Sequence, residues 1–496
     1  MEKPKAKTSL PLLSETEGFH RGVCWGVTLT SSLGMFFCGY VFSVLNTILK
    51  YISESVFQWD SDEAVLYEGL LNSLICVGSA IGTLAGGFLA KNYGRKNVMI
   101  AADIMGIVCT ALTLIESVPL LLIGRTLLGF AAGANCSVVP VYINEMNPLQ
   151  IRGPTGSAIQ TVNSAGCLLS LLMGFGTPQD GSQNWWWRFM LGLPILVCVA
   201  RLALLSTIYN IESPKYLISK RRDEEAEKSL QRIYVGKQIQ EQMILIKAEI
   251  EQQSASKQFK VSDLITPRWR YRFLIGLFGA AASQFTFANG ISFYSTVLFI
   301  KTTHDQLQAQ ILTCATFLLT LIANCFAGYL ISKVGRKTLF LIGALLLSLL
   351  WVSVTVLLNY ELFIAAIIPF FAFKLVFGFT YGPVSWIFIS EVLPDIAIGM
   401  GLFLTSMISA GVAQLFPVII NYLPVTGFLI CAASTLFVFV VVLLFVKETK
   451  DKTPLEIAEI YGSNAEDNNV SKDQLNQTLV VANKLGDKEG YVTSAE

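Results

Sequence analysis

The chain has few charged side chains for its length. Of its 496 residues, 14% are Asp, Glu, Lys or Arg, whereas 53% are hydrophobic. A soluble globular protein carries about 25% charged residues. The chain therefore has too few solvent-facing side chains for a water-soluble fold, and the shortage is typical of a protein whose surface faces lipid.

The usual ligands of catalytic and metal sites are also scarce. The chain has two histidines, and none of its ten cysteines has CxxC spacing. The cysteines lie in apolar runs, where we interpret them as small buried hydrophobic residues rather than as a disulfide or metal framework. A net charge of +1 provides no field toward nucleic acid. We therefore expect no cofactor, no metal, no nucleic-acid partner and no enzymatic activity.

Long apolar segments predict the fold class. A helix needs about 20 apolar residues to cross the hydrocarbon core of a bilayer. Twelve candidate spans lie at about 22–42, 66–90, 98–115, 119–144, 156–175, 188–209, 272–298, 308–331, 338–357, 362–389, 400–420 and 426–446. The sequence thus predicts an all-α membrane protein with twelve transmembrane helices in two six-helix halves. The predicted divisions are an N-terminal segment, a first half, a helical linker, a second half and a tail, at 1–21, 22–211, 212–270, 271–446 and 447–496.

The distribution of basic residues predicts the orientation. Lysines and arginines gather in the loops after the second and eighth spans, in the linker and at both ends of the chain, whereas the opposite loops are mainly acidic. The positive-inside rule then places both termini and the linker in the cytoplasm. We expect an integral protein of the plasma membrane that works as a monomeric unit.

The linker has a composition of its own. Residues 221–234 and 238–253 are rich in helix formers and mixed charge, which favours two amphipathic helices. They are either a solvated connection or a subdomain that braces the two halves. The tail after about 462 is polar, and its sequons at Asn469 and Asn476 are predicted to lie in the cytoplasm without a glycan.

Charged motifs recur in the same order in both halves. A Gly-Arg-Lys sequence follows the second and the eighth spans, a glutamate ends the fourth and the tenth, and another glutamate follows the sixth and the twelfth. Such a repeat indicates two related halves. We predict ion pairs that close the cytoplasmic mouth, worth about 1 kcal/mol each; the alternative is that the basic loops only set the topology. The predicted gate residues are Arg95, Glu145, Arg152, Glu212, Arg336, Glu391 and Glu448.

Glycines recur at spacings of four residues on two spans. They are Gly78, Gly82 and Gly86 on the second span and Gly129 and Gly133 on the fourth. Small residues allow close helix packing, so these two spans are predicted to approach closely, either as a static contact or as a sliding one.

Several of these motifs together resemble one family. The sequence reads GRTLLG at 124–129, PVYINE at 140–145, RG at 152–153, ESPK at 212–215 and ETK at 448–450. The chain resembles, over about residues 22–461, the sugar-porter branch of the major facilitator superfamily, and it is most similar to the facilitative hexose transporters. The resemblance implies transport of a monosaccharide by alternating access.

The resemblance also implies a set of substrate-binding residues. Amides suit sugar hydroxyls because they both donate and accept hydrogen bonds, and a tryptophan can cover an apolar sugar face. The alternative for the polar residues is that they only hold helices together. Positions that match the family's sugar contacts are Gln160 on the fifth span, Gln284, Asn289 and Tyr294 on the seventh, and Trp386 on the tenth.

Departures from the family pattern affect coupling. Val41 follows Gly39-Tyr40 on the first span, where proton-coupled porters carry an aspartate. Valine cannot titrate, so facilitated diffusion is favoured over symport. Asp103 on the third span is a carboxylate within the membrane but lies off that motif.

The C-terminal half of the site departs further. Ser283, Thr320, Gly378 and Ile398 replace the family's polar or charged residues, and Ser409-Ala410 replaces a polar-aromatic pair. The exact sugar is therefore left open. The remaining alternatives are a carrier of another small solute (a polyol, an acidic sugar or an organic anion), a proton-coupled symporter, and a non-transporting sensor.

A lysine in the middle of the tenth span also bears on the substrate. An ionisable residue there costs about 2.5–3.5 kcal/mol on insertion. Lys374 lies one helical turn from Gly378, so the two share a helix face. We predict Lys374 as a substrate-binding cation; the alternatives are snorkelling or a structural pair with Asp103. Arg201 on the sixth span is expected to snorkel to the cytoplasmic surface.

Overall fold

The computed structural model describes residues 18–177, 184–255, 266–393, 395–423 and 425–450, together with 452, 456, 457, 460 and 461. The sequons at Asn469 and Asn476 lie outside the described residues. The helices are α1 (Arg21–Tyr51), α2 (Ser61–Tyr93), α3 (Arg95–Thr113), α4 (Val118–Met146), α5 (Arg152–Met173), α6 (Trp186–Ser206), α7 (Pro214–Ser219), α8 (Asp223–Ile233), α9 (Gln238–Ala255), α10 (Pro267–Ala282), α11 (Ala288–Thr303), α12 (Gln306–Val334), α13 (Arg336–Asn359), α14 (Ile367–Phe379), α15 (Tyr381–Val392), α16 (Asp395–Tyr422) and α17 (Thr426–Phe445).

Twelve segments within these described ranges are long and apolar enough to cross a membrane. This confirms the prediction of twelve spans, six before the linker and six after it. Two spans are each built from two helices: α10 and α11 form the seventh span, and α14 and α15 form the tenth. The two halves pack together where α1 contacts α11, α2 contacts α16, and α5 contacts α12.

The glycines of α2 and α4 lie where the two helices touch backbone to backbone. A Cβ atom added at Gly78 would lie 1.9 Å from the carbonyl oxygen of Thr126, and one at Gly133 would lie 2.1 Å from that of Ser79. Only glycine fits at such distances, so the predicted close approach is confirmed. Thr83 of α2 strengthens the contact, because its hydroxyl donates to the carbonyl of Gly133 at 3.3 Å.

A buried ion pair joins three helices of the first half. Arg201 of α6 is fully buried, and its Nη1 lies 3.1 Å from Asp103 Oδ1 of α3 and 2.8 Å from Asn135 Oδ1 of α4. The prediction that Arg201 snorkels to the surface is therefore wrong. The side chain pairs inside the bundle instead of snorkelling because Asp103 lies within reach.

Aromatic packing fills the corresponding region of the second half. Trp351 of α13 is fully buried and its ring contacts those of Phe370, Phe373 and Phe428. The indole Nε1 donates to the carbonyl of Thr286 at 3.0 Å. Thr286 lies in the break between α10 and α11, so this aromatic cluster supports the interruption of the seventh span.

Three helices, α7 to α9, form the described part of the linker, and we call the side of the protein on which they lie the linker side. Their small core includes Tyr216, Leu217, Leu230 and Met243. The linker docks on the first half, where the Tyr216 hydroxyl donates to the carbonyl of Asn92. A backbone bridge between Phe19 and Tyr234 also ties α8 to the start of α1. Bracing of the second half stays a prediction.

Candidate functional site

The seventh span is interrupted near its middle. A 3₁₀ turn over Gln284–Thr286 ends α10, and Phe287 has a left-handed φ of 60° before α11 begins. Such a break frees backbone groups and turns side chains away from the regular helical positions. Discontinuous helices at the interface of two repeats form the substrate sites of many carriers.

Two of the predicted site residues meet at this break. The Asn289 amide nitrogen donates to Gln284 Oε1 at 2.7 Å and to Ser409 Oγ of α16 at 2.9 Å. Gln284 and Ser409 are buried, whereas Asn289 is half-buried. The three side chains form one hydrogen-bonded group, which we call the amide cluster (Gln284, Asn289 and Ser409).

Tyr294 lies five residues beyond Asn289 on the seventh span, in a different environment. It is almost fully buried, and its hydroxyl lies 3.0 Å from the carbonyl of Glu68 and 2.9 Å from that of Ala413. Its ring stacks on Phe416. Tyr294 thus connects α11 to α2 and α16, and its role as a sugar contact stays a prediction.

Gln160 and Trp386 are exposed on other helices. Gln160 lies on α5, and Trp386 lies on α15 with 54% of its surface exposed. Within the described ranges, no side-chain hydrogen bond joins either residue to the amide cluster. Their roles as substrate contacts stay predictions.

Lys374 contacts α11, the helix that carries Asn289, and is almost fully buried. Its Nζ donates to Ser292 Oγ of α11 and lies 3.4 Å from the carbonyl of Ala288. The pairing with Asp103 that we considered is wrong, because Asp103 pairs with Arg201.

The helix face that Lys374 shares with Gly378 packs against a neighbouring helix. A Cβ atom at Gly378 would lie 2.7 Å from the Cβ of Ala323 on α12, so this glycine fills a helix contact. Gly378 is buried there, so the face that it shares with Lys374 gives no evidence that Lys374 lines a cavity. Direct contact of Lys374 with a substrate stays a prediction.

Val41, the residue on which the prediction of uncoupled transport rests, is also buried. Val41 contributes its backbone carbonyl, which accepts from Nη1 of the buried Arg125 at 2.7 Å. Among the ion pairs formed by described residues, none involves Arg125. Arg125 and Arg201 are thus both buried in the first half, and among the described residues Arg201 has a carboxylate partner whereas Arg125 has none.

The predicted gate charges of the first half form a compact array on the linker side. Arg95 Nη2 lies 2.9 Å from Glu145 Oε1, and Ser213 Oγ donates to the other oxygen of Glu145. Glu212 accepts from the backbone N–H groups of Arg95 and Lys96 at the start of α3, a favourable place for a carboxylate. Burial raises the pKa of the Glu212 carboxyl, and these N–H donors oppose the rise.

The second half repeats this array. Arg336 Nη2 lies 2.6 Å from Glu391 Oε1, and Thr449 Oγ1 donates to Glu391 Oε2 at 2.7 Å. Glu448 accepts from the backbone N–H groups of Arg336 and Lys337 at the start of α13. Gly94 and Gly335 precede the two helices with φ of 99° and 93°.

The ion pairs of both arrays join helices within one half. Arg152, the remaining predicted gate residue, donates from Nε to the carbonyl of Asn147 at 3.1 Å, and forms no ion pair with another described residue. The role of these residues as a gate between the halves stays a prediction.

Sequence reasoning missed Asn46, which links the two halves on the side opposite the linker. Its amide nitrogen donates to the Ser292 carbonyl at 2.6 Å, and its oxygen accepts from the Thr296 N–H at 3.0 Å. The side chain thus inserts into a backbone hydrogen bond position of α11. The available signal was an amide in an otherwise apolar stretch of the first span.

No group of three His, Cys, Asp or Glu residues in the described ranges could hold a metal.

Comparisons with known proteins agree with this architecture. The family model described as "Sugar (and other) transporter" matches residues 27–461. Hexose transporter 1 of Plasmodium knowlesi is 28% identical over 452 residues, covering 85% of this chain and 89% of the relative. The probable metabolite transport protein CsbC of Bacillus subtilis is 27% identical, covering 86% and 92%.

Solved structures share the fold. The xylose transporter XylE from E. coli, in a partially occluded inward-open conformation, has a TM-score of 0.74 at 23% identity, with 87% of this chain and 100% of that chain covered. The proton:xylose symporter XylE bound to 6-bromo-6-deoxy-D-glucose has a TM-score of 0.70 at 21% identity, with 89% and 99% covered. With the match over residues 27–461, twelve spans and a repeated charge array, the chain belongs to the sugar (and other) transporter family of integral membrane proteins.

Proposed function

We propose that the protein carries a hexose across the plasma membrane by alternating access, as a monomeric unit with both termini and the linker side in the cytoplasm. The amide cluster at the break of the seventh span carries this proposal. Its amides offer both a donor and an acceptor to sugar hydroxyls, and its Ser409 lies 3.5 Å from Cys76 Sγ of the other half. The relatives named as hexose transporters support the same substrate class.

We further propose that transport is facilitated diffusion without proton coupling. Val41 offers Arg125 only a backbone carbonyl, so no carboxyl group at this position can take up and release a proton. Asp103, the intramembrane carboxylate that we considered, pairs with Arg201, whose Nη1 lies 3.1 Å from Asp103 Oδ1.

Purified protein in liposomes tests both proposals. Uptake would be measured with labelled hexoses, polyols and organic acids, with and without an imposed pH difference. We expect hexose uptake that stops at equilibration and does not respond to the proton gradient. Uptake of none of the hexoses contradicts the substrate proposal, whereas accumulation driven by a pH difference contradicts the uniport proposal and makes Asp103 the first residue to neutralise.

A second candidate substrate is an acidic sugar, and Lys374 is the observation that favours it. This buried cation forms no ion pair with any described carboxylate. Its Nζ contacts the carbonyl of Ala288, the residue that precedes Asn289. A cation in a water-poor site discriminates strongly between substrates of different charge. Lys374→Met keeps the side-chain length and removes the charge.

The outcome of Lys374→Met separates the two candidates. If Lys374 binds substrate, the variant should reach the membrane and lose preference for uronic acids relative to neutral hexoses. An unchanged ranking of the same panel means that Lys374 instead holds α11 through Ser292, and the acidic-sugar candidate is then dropped.

A further inference from the structure

The hydrogen-bonding capacity of the amide cluster is already partly used within the protein. An asparagine side chain has two N–H donors and one carbonyl acceptor. The Asn289 nitrogen contacts two acceptors, Gln284 Oε1 at 2.7 Å and Ser409 Oγ at 2.9 Å, so both of its N–H groups are engaged. What remains of Asn289 for a ligand is its oxygen.

Gln284, in contrast, keeps an N–H donor that Asn289 does not use. Its oxygen accepts from Asn289, while its amide nitrogen makes one long contact, 3.4 Å, with Ser283 Oγ. A second N–H of Gln284 is therefore left for a ligand. The Asn289 oxygen has no partner and is not among the sealed, unpartnered polar atoms of the described residues, so it reaches open space, whereas the Gln284 side chain is 8% exposed.

Ser409 is held in place from two directions. It accepts from Asn289 of α11, and its hydroxyl lies 3.5 Å from the thiol of Cys76 on α2, in the other half. Ser409 is 5% exposed and Cys76 is 1% exposed, so neither side chain has room to turn into solvent. The orientation of the Asn289 amide thus depends on Gln284 together with a serine that is anchored at the contact between the halves.

We propose that Ser409 is a positioning residue for sugar recognition. By accepting one N–H of Asn289, it turns the Asn289 oxygen toward the ligand, so that the site takes a sugar hydroxyl that donates to Asn289 beside one that accepts from Gln284. This inference rests on the proposed hexose transport and specifies the direction of two hydrogen bonds in it. In the reversed arrangement, Gln284 and Ser409 would donate to the Asn289 oxygen, and Asn289 would present N–H groups to the sugar.

Deoxy and deoxyfluoro sugars distinguish the two arrangements. Fluorine accepts weakly and cannot donate, and a deoxy position does neither. For each hydroxyl of a transported hexose, the KM of the deoxyfluoro analogue is divided by the KM of the deoxy analogue. The ratio falls below one where the protein donates, and it stays at or above one where the protein presents only an oxygen, because fluorine and oxygen repel.

In the unmodified protein we expect two hydroxyls whose removal raises KM about tenfold, the size expected when a buried polar group loses its partner. One should have a ratio of one or more, for the Asn289 oxygen, and the other a ratio below one, for the Gln284 nitrogen. Ser409→Ala removes one of the two acceptors that hold the Asn289 nitrogen, so the Asn289 and Gln284 amides can turn over together, and the first ratio should fall below one. Ser409→Thr keeps the hydroxyl and should restore the original sign.

Ser348→Ala is the matched control. It removes a buried serine hydroxyl of the same half that donates to the Ala432 carbonyl, between α13 and α17. The sign of both ratios should be unchanged in this variant. A merely structural effect of Ser409→Ala would raise KM for all analogues together and would leave the signs as they were.

Two results overturn the inference. Ratios below one at every hydroxyl that matters in the unmodified protein mean that Asn289 donates. An unchanged pair of signs in Ser409→Ala means that Ser409 does not orient the amide. If Ser409→Ala does not fold, Ser409→Cys, with its weakly accepting thiol, replaces it. A protein that transports no hexose contradicts the proposed function itself, whereas hexose transport with the wrong signs contradicts only this inference.

Discussion

The two halves of the protein agree at their linker-side ends and differ in their interiors. At the ends, the pair of Arg95 and Glu145 corresponds to that of Arg336 and Glu391, and Glu212 and Glu448 both accept from the first N–H groups of a helix. Inside, the first half contains a buried ion pair, whereas the second contains an aromatic cluster around Trp351.

This difference has a physical cause. The first N–H groups of a helix lack partners within that helix, so the starts of α3 and α13 both need an acceptor whatever the surrounding side chains are. An interior has no such common requirement, since it can be filled by any set of side chains that packs densely and satisfies its polar groups. The two halves therefore carry different side chains at matched positions inside the bundle and the same kinds of side chain at the helix starts.

Breaking the buried ion pair should have the largest effect and only in the first half. Asp103→Asn leaves the Arg201 charge buried without a carboxylate, which costs about 3–5 kcal/mol. The thermal midpoint of the purified protein in detergent should fall clearly. Glu116→Gln, which breaks the exposed pair with Arg188, is the control and should change it little. Equal midpoints for the two variants would show that the buried pair does not stabilise the half.

The two helix-start glycines test the agreement between the halves. An alanine at Gly94 would occupy a backbone region open almost only to glycine, and its Cβ would lie 2.4 Å from Glu212 Oε2; at Gly335 it would lie 2.7 Å from Glu448 Oε2. Gly94→Ala and Gly335→Ala should each cost about 1–3 kcal/mol. Gly87→Ala, with open space around its Cβ, is the control. A large effect in one half only would contradict the equivalence of the arrays.

Alanine at the predicted sugar amides compares the halves in binding. Gln284→Ala and Gln160→Ala should each weaken hexose binding by about 1–3 kcal/mol, since a sugar hydroxyl would lose its partner. Gln284→Ala should also change the analogue ranking, because Asn289 loses an acceptor. Transport KM across the panel measures both effects, with the surface variant Gln231→Ala as control. Unchanged KM in both variants would remove the proposed site.

The smallest effect is expected for the partly exposed ion pairs. Glu145→Gln and Glu391→Gln each keep a hydrogen-bonding group and lose a charge, so each should cost about 1 kcal/mol or less. The two costs should match within error and shrink at high salt. Thermal midpoints at low and high ionic strength provide the measurement. A cost in one variant several times that in the other would mean that the arrays are equivalent in geometry but not in energy.

The features predicted correctly are those that depend on local sequence. Span number follows from the length of apolar runs, and the close approach of α2 and α4 follows from glycines four residues apart. The two linker helices predicted at 221–234 and 238–253 appear as α8 and α9, because their helix formers are dense. Each of these signals lies within a single segment.

The features predicted wrongly depend on what lies across the bundle. Arg201 was expected to snorkel, and Asp103 was considered as a partner of Lys374. The sequences of α3 and α6 do not show that these helices bring Asp103 Oδ1 and Arg201 Nη1 within 3.1 Å of each other. Gly378 matches a polar position of the family's site and shares a face with Lys374, yet it packs on Ala323. Asn46 was missed because its partners on α11 lie about 250 positions away in the chain.

By itself, the sequence determined the membrane class, the twelve spans, the repeated charged motifs and the likeness to sugar porters. Hydropathy and short motifs are properties of neighbouring residues and need no knowledge of the fold. Only the tertiary structure decided which charges pair, which glycines touch backbone and which N–H groups of Asn289 are already used. Those outcomes depend on distances of a few ångströms between side chains far apart in the chain, and burial makes each of them matter energetically because water is not there to replace a missing partner.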